Sequence, residues 1–300
     1  MIQVSFAQKP ISLIEREAAF SASGTLKNRP GVLLQTCNRI EFYEGEGCVQ
    51  EEQIRHLYRV VSGLESNMLG EVAIQGQVKT AYMEASGKFK LSRELHWLFQ
   101  TALFVGKRVR TESGISRGAM SHSQAAVEII CKSGINLDKA LISIIGAHKL
   151  NEDIIRFLQS KGAETIFLGN KSFEKAQIIA NKFSCKTFRL DQLTEFLSFT
   201  DILISATSAP HTIVDLAVFP KGKKMLIVDL AVPRDIDERI GNIEGVTLYN
   251  VESIENAVSH NVDSRKCEII KAEQIIEEEI EKFFRKQEKY VAVTSGNKSY

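Results

Sequence analysis

Residues 141–249 hold five short, unbroken apolar runs, at 141–145, 165–168, 202–205, 225–229 and 246–249, separated by longer stretches of helical pattern. Strands that are apolar on both faces need cover on both faces, which is the condition of a parallel sheet. Parallel neighbours also need crossover connections, and the amphipathic stretches between the runs supply them. The region is therefore expected to be a doubly wound, Rossmann-like α/β domain, whose ligands sit outside the carboxyl ends of the strands.

The first strand-to-helix turn of that domain reads Gly146, Ala147, His148, Lys149, Leu150, Asn151. A dinucleotide fingerprint G-x-G-x-x-G has its first glycine at Gly146, but His148 and Asn151 stand where the second and third belong. A side chain at 148 takes space that phosphates normally use, and Glu152 and Asp153 would repel a phosphate. Against this, His148 and Lys149 bring positive charge to a helix start. About twenty residues on, the ribose-binding carboxylate expected for NAD is replaced by Asn170, Lys171 and Ser172, which favours a 2′-phosphate and hence NADPH. Ser205 and Thr207, in "SATSAPHTIV", lie at a strand end where nicotinamide-side contacts are expected. Either the domain binds NADPH or it survives as scaffold.

The remaining chain divides around this domain. Residues 1–137 mix β-like runs ("GVLLQ", "IEFYEG") with helical stretches and form an N-terminal α+β domain; 138–250 form the Rossmann-like domain. Residues 121–134 read as a helix ending at Gly134 that connects the two. In the C-terminal segment 251–300, residues 251 to about 289 read as one charged helix or two in succession, with a narrow apolar stripe of Ile269, Ala272, Ile276, Ile280 and Phe283, and 291–300 read as a loose tail. That stripe either packs on the protein's own side or pairs with another helix.

Composition narrows the partners. Of 300 residues, 44% are hydrophobic and 25% charged, with a net charge of +1, so general nucleic-acid binding is not expected and any RNA contact needs a local patch. The five cysteines, Cys37, Cys48, Cys131, Cys185 and Cys267, are scattered without a C-x-x-C pair. With no secretory-signal pattern and no apolar run long enough for a membrane span, a reducing, cytoplasmic setting is expected. Cys37 ends an apolar run and precedes Asn38 and Arg39. A neighbouring guanidinium can lower a thiol pKa, although buried structural cysteines are common.

Four blocks, in order, resemble the glutamyl-tRNA reductase family. Thr36, Cys37, Asn38, Arg39 and Glu41 match T-C-N-R-x-E, and "SGLESNMLGEVAIQGQVKTAY" matches S-G-L-D-S followed by G-E-P-Q-I-x-G-Q-V-K-x-A-Y. "GKRVRTESGISRGAMSHSQAAVE" and "DILISATSAPHTIV" with "LIVDLAVPRDID" follow. The resemblance implies NADPH-dependent reduction of glutamyl-tRNA to glutamate-1-semialdehyde, the first step of five-carbon tetrapyrrole biosynthesis, through a thioester on Cys37 and without a metal. It implies a functional role for His56, otherwise an ordinary helix histidine. It also places Thr36, Asn38, Arg39, Ser66, Glu71 and Gln77 around the substrate, with Arg39 clamping a carboxylate and Glu71 holding the α-ammonium group. Val72 and Ala73 replace the family's Pro-Gln and remove a side-chain amide there.

Two further expectations come with the family. The semialdehyde would pass to the aminomutase that follows. Family members also continue into a helical dimerisation domain that is largely missing here, which leaves homodimer and monomer both open. The alternative is a reductase-derived glutamyl-tRNA-binding or regulatory protein without hydride transfer.

Overall fold

The computed structural model describes residues 1–8, 12–36, 39–117, 121–258 and 265–296. In chain order, β1 (Gln3–Gln8), α1 (Leu13–Ala22), β2 (Val32–Gln35) and β3 (Ile40–Glu44) come first. Four helices follow: α2 (Glu51–Ser62), α3 (Ala73–Lys88), α4 (Arg93–Ser113) and α5 (His122–Lys132). Then come β4 (Leu141–Ile145), α6 (Lys149–Ser160), β5 (Thr165–Gly169), α7 (Phe173–Phe183) and β6 (Lys186–Phe188). The series ends with α8 (Leu193–Phe199), β7 (Ile202–Ser205), β8 (Met225–Asp229), β9 (Val246–Asn250), α9 (Val251–Val258) and α10 (Lys266–Gly296).

The chain folds into two compact units that do not follow sequence order. One takes in residues 1–10, 22–119 and 259–300; the other takes in 11–21 and 120–258. The simple boundaries at 137 and 250 are corrected accordingly. α5 is no free connector: it packs on α6 and α9 inside the second unit, because Ala125, Ala126, Val127 and Ile130 need that cover. The expected C-terminal segment is split, with α9 in the second unit and α10 in the first.

In the first unit an antiparallel sheet of order β1-β3-β2 lies with α2, α3, α4 and α10. α2 buries Ile54, Leu57, Tyr58 and Val61, the i, i+3, i+4, i+7 set of one helical face. α4 starts at Ser92, whose hydroxyl accepts the Leu95 N–H at 3.3 Å, and ends at Gly114 with φ 76°. The stripe on α10 is internal. Ala272, Ile276, Ile280 and Phe283 are buried in the same core as α2 and α4, and the Phe283 ring stacks on Trp97 with centroids 4.1 Å apart. Charges line that seam: Arg108 of α4 meets Glu279 at 2.6 Å and Glu278 at 2.9 Å, while Arg59 and Arg55 of α2 pair with Glu273 and Glu277. Ile276 and Phe283 are therefore not open for pairing with a second helix.

The second unit is a six-stranded, wholly parallel sheet of order β6-β5-β4-β7-β8-β9. Each of the five expected runs is a strand; β6, three residues at the edge, is too short to leave a periodic signal. The order reverses between β4 and β7, which places the ligand crevice at their carboxyl ends. α1 belongs to this unit through charge. Arg16, 3% exposed, reaches Glu255 of α9 at 2.8 Å, and Glu17 receives Arg234 through Nε at 2.8 Å and Nη2 at 3.0 Å.

Truncating Phe283 to Ala is expected to destabilise the first unit by about 3–5 kcal/mol, the usual cost of a buried aromatic. Urea melts followed through Trp97, the single tryptophan, check this. An unchanged midpoint would place the α10 stripe elsewhere.

Candidate functional site

The T-C-N-R-x-E block starts at Thr36, one residue past β2, and ends at Glu41 in β3. Thr36 N–H donates to the Arg39 carbonyl at 2.9 Å, and the Thr36 hydroxyl accepts the Arg39 N–H at 3.2 Å. Cys37 and Asn38, which join them in sequence, lie outside the described residues. Arg39, Glu41 and Tyr43 then alternate along the chain, so all three project to one face. That face is buried: their exposures are 2%, 3% and 0%.

Glu41 is the hub. Its Oε1 accepts Arg39 Nη1 at 3.0 Å and meets His56 Nε2 at 2.9 Å, while its Oε2 accepts the Tyr43 hydroxyl at 2.6 Å. Burial by itself raises the Glu41 carboxyl, but the His56 hydrogen bond, the Arg39 charge and the Tyr43 hydroxyl outweigh it and hold the group below its ordinary value. Burial and then the Glu41 charge push the Tyr43 phenol well above its own, so it remains a donor. His56, on α2 and about one-third exposed, is thereby oriented by a carboxylate on its Nε2.

Arg39 also ties the turn to the loop between α2 and α3, donating from Nη2 to the Glu65 carbonyl. Each terminal nitrogen thus gives one N–H to the protein and keeps a second, and Nε is buried without a partner among the described residues. In the same loop Ser66 Oγ donates to Glu71 Oε1 at 3.1 Å, and Glu71 is buried at 6%. The loop is pinned from behind. Gly70, at φ 76°, sits so close to Ile115 that a Cβ would fall 2.1 Å from its carbonyl oxygen, and Arg265 caps the Leu69 carbonyl at 2.9 Å and the Ile115 carbonyl. Val72, Ala73 and Gln77 are exposed where α3 begins. Arg110 holds the Glu71 carbonyl at 3.1 Å; burial lowers its guanidinium to about 10, with the Glu71 charge opposing.

In the second unit the crevice is built by the turns after β4 and β7. Gly146, at φ 115°, leads to His148, the exposed N-cap of α6, with Ala147 and Leu150 half-buried. Lys149 is exposed and bound to Asp153 at 2.8 Å, while Glu152 is bound to Lys182 at 2.7 Å. The expected repulsion from Glu152 and Asp153 is therefore offset by cations. After β5, Asn170 Nδ2 donates to the Ser172 carbonyl at 2.9 Å, Lys171 is exposed, and Ser172 Oγ donates to Glu174 at 3.0 Å.

Ser205 and Thr207 hold the loop together. Ser205 is fully buried and donates to Asp235 Oδ2 at 2.7 Å; Thr207 donates to Asp235 from Oγ1 at 2.7 Å and from its N–H at 3.0 Å. The donor side of both hydroxyls is thus spent on a buried carboxylate, which leaves their oxygens as acceptors. Asp229, at the end of β8, accepts the N–H groups of Ala231, Asp235 and Ile236, each at 3.0 Å. Burial and then the Asp235 charge push Asp229 up to about 8 against those bonds; burial also raises Asp235. Neither aspartate carries a sequence signal beyond "DLAVPRDID". Arg39 with Glu41, two apart on a strand, did carry one.

Among the described residues no cluster of three or more His, Cys, Asp or Glu is placed to hold a metal ion, and no helix is long and apolar enough to cross a membrane.

Comparison with known proteins agrees with these two halves. Residues 46–113 match the model of the glutamyl-tRNAGlu reductase N-terminal domain, and residues 128–257 that of shikimate / quinate 5-dehydrogenase. Glutamyl-tRNA reductase of Pelotomaculum thermopropionicum is 41% identical over 78% of this chain and 54% of its own length. That of Carboxydothermus hydrogenoformans is 35% identical over 88% of this chain and 67% of its own. The chain belongs to the glutamyl-tRNA reductase family. It spans about half the length of the first of these family members and two-thirds of the second. The solved glutamyl-tRNA reductase from Methanopyrus kandleri is 30% identical, with 96% of this chain and 80% of that one covered and a TM-score of 0.47.

Glu41→Gln removes the anion on which three donors converge and is expected to cost about 3–5 kcal/mol. Because the Glu41 pKa is depressed on folding, its contribution is fully present above the ordinary carboxylate range and is lost as pH falls through the lowered value. Urea melts between pH 7 and pH 3 are expected to show a drop in the wild type that is smaller in the variant. Equal pH dependence would remove Glu41 from this role.

Proposed function

We propose that this chain reduces glutamyl-tRNA to glutamate-1-semialdehyde with NADPH, through a thioester on Cys37. The observation that supports it most is the meeting of two distant motif blocks: the turn that carries Cys37 in sequence is joined to α2 by Glu41–His56 and to the "SGLES" loop by Arg39–Glu65.

The Cys37 thiolate attacks the ester carbonyl linking glutamate to the tRNA 3′ end. An S–C bond forms, the C–O bond breaks, and the tRNA leaves as an alcohol after gaining a proton. With the Glu41 carboxylate on Nε2, Nδ1 is the His56 nitrogen left to take the thiol proton and return it to the leaving oxygen. Glu71, held by Ser66, suits the α-ammonium of the glutamyl group, and Thr36 lines the same turn.

The crevice of the second unit suits a dinucleotide: the sheet reverses there and Gly146 permits the tight turn from β4 into α6; the lack of a carboxylate directly after β5 supports NADPH among these cofactors. Gly146, Ala147, His148, Lys149 and Leu150 would flank the pyrophosphate, with Lys171 and Asn170 towards a 2′-phosphate. NADPH, when bound, supplies the hydride that reduces the thioester carbonyl. The semialdehyde, a reactive amino aldehyde, then passes to an aminomutase.

A second reading, a glutamyl-tRNA-binding or regulatory protein without hydride transfer, is favoured by one feature: Ser205, Thr207 and Asn151 spend their polar groups on the protein itself. Single-turnover assays with charged glutamyl-tRNA and NADPH are expected to show semialdehyde formation that falls on the order of 10³-fold or more in Cys37→Ser. Equal formation by both proteins would sink the role of Cys37. Binding of glutamyl-tRNA with no NADPH binding at millimolar cofactor would select the second reading.

A further inference from the structure

Asn151 stands where a dinucleotide fingerprint carries its third glycine, and its side chain has a definite place. It is the third residue of α6 and fully buried, and its Nδ2 donates to the Ala206 carbonyl at 3.0 Å. Ala206 is the first residue past β7, and its N–H donates to Ile145, the last of β4, at 3.0 Å. Gly146 closes the junction, since a Cβ there would lie 2.2 Å from the Ala206 oxygen and 2.5 Å from Asn151 Nδ2. The three residues meet where the strand order reverses.

We propose that Asn151 is a positioning residue for the dinucleotide: its amide clasps the turn after β7 to the start of α6 and so fixes the crevice that receives the cofactor. The inference rests on the NADPH reading above. A glycine at 151 leaves the Ala206 carbonyl untethered beside a phosphate site, where two electronegative oxygens repel. The amide N–H occupies that carbonyl and holds it on the protein side. Fold stability alone does not explain the choice, because Asn151 Oδ1 is buried with no partner among the described residues, an arrangement that costs stability. Aspartate has nearly the same shape but would set oxygen against oxygen and add negative charge at the helix start.

The test compares wild type with Asn151→Gly and Asn151→Asp by hydrogen exchange of the Ala206, Thr207 and Ala209 amides without cofactor, and by NADPH titration and steady-state kinetics. Expected for Asn151→Gly are exchange faster by roughly tenfold at those amides and an NADPH Kd and KM raised roughly tenfold, with kcat within about twofold. Asn151→Asp is expected to weaken NADPH further, and a glycine variant that retains the wild-type Tm separates the effect from misfolding. Unchanged NADPH affinity in Asn151→Gly, whether or not exchange accelerates, overturns the proposal. If wild type binds no NADPH while exchange still accelerates in Asn151→Gly, the cofactor reading itself falls, and the positioning role with it.

Discussion

The first unit depends on one buried carboxylate. Glu41 lies in the central strand of a small sheet, where an unpaired charge would be costly, and it stays ionised because Arg39, His56 and Tyr43 surround it. The arrangement is reciprocal. Glu41 keeps Arg39 in place to reach the Glu65 carbonyl, and it fixes the ring plane of His56. The turn bearing Thr36, the histidine on α2 and the loop bearing Ser66 and Glu71 are thus held by charge-assisted bonds that share one centre.

The second unit follows the same logic with a different pair. Asp229 gathers backbone N–H groups at the end of β8, and Asp235 gathers the hydroxyls and N–H at the end of β7. Burial raises both carboxyls, the Asp235 charge raises Asp229 further, and the bonds they accept work against that rise. The benefit is a crevice whose floor is fixed before any ligand arrives. Positioning by such a preformed shell leaves less to be ordered on binding.

The parallel sheet was legible because each strand is buried on both faces and reads as an unbroken apolar run. The apolar face of α10 was legible from its three-four spacing. β6 was not, since three edge residues carry no period. Nor was the membership of α1 and α10: Arg16, Glu17 and the α10 glutamates pair with residues far along the chain, and charge pairing leaves no periodic trace. In the site, "TCNR" and "SGLES" picked out segments that the fold brings together, yet the bond from Arg39 to the Glu65 carbonyl was not legible, because Glu65 lies 26 positions away. Nor were the bonds of Ser205 and Thr207 to Asp235, which lies beyond the reach of local pattern.

The sequence by itself determined the doubly wound domain, the apolar stripe of α10 and the family. These follow from local periodicity and from motifs whose members lie close together in the chain. Only the tertiary structure decided which polar groups are spent on the protein itself: Arg39 on Glu41 and Glu65, Ser205 and Thr207 on Asp235, and Asn151 on Ala206. A buried donor must find an acceptor wherever the fold brings one near, and that acceptor's place along the chain is set by packing.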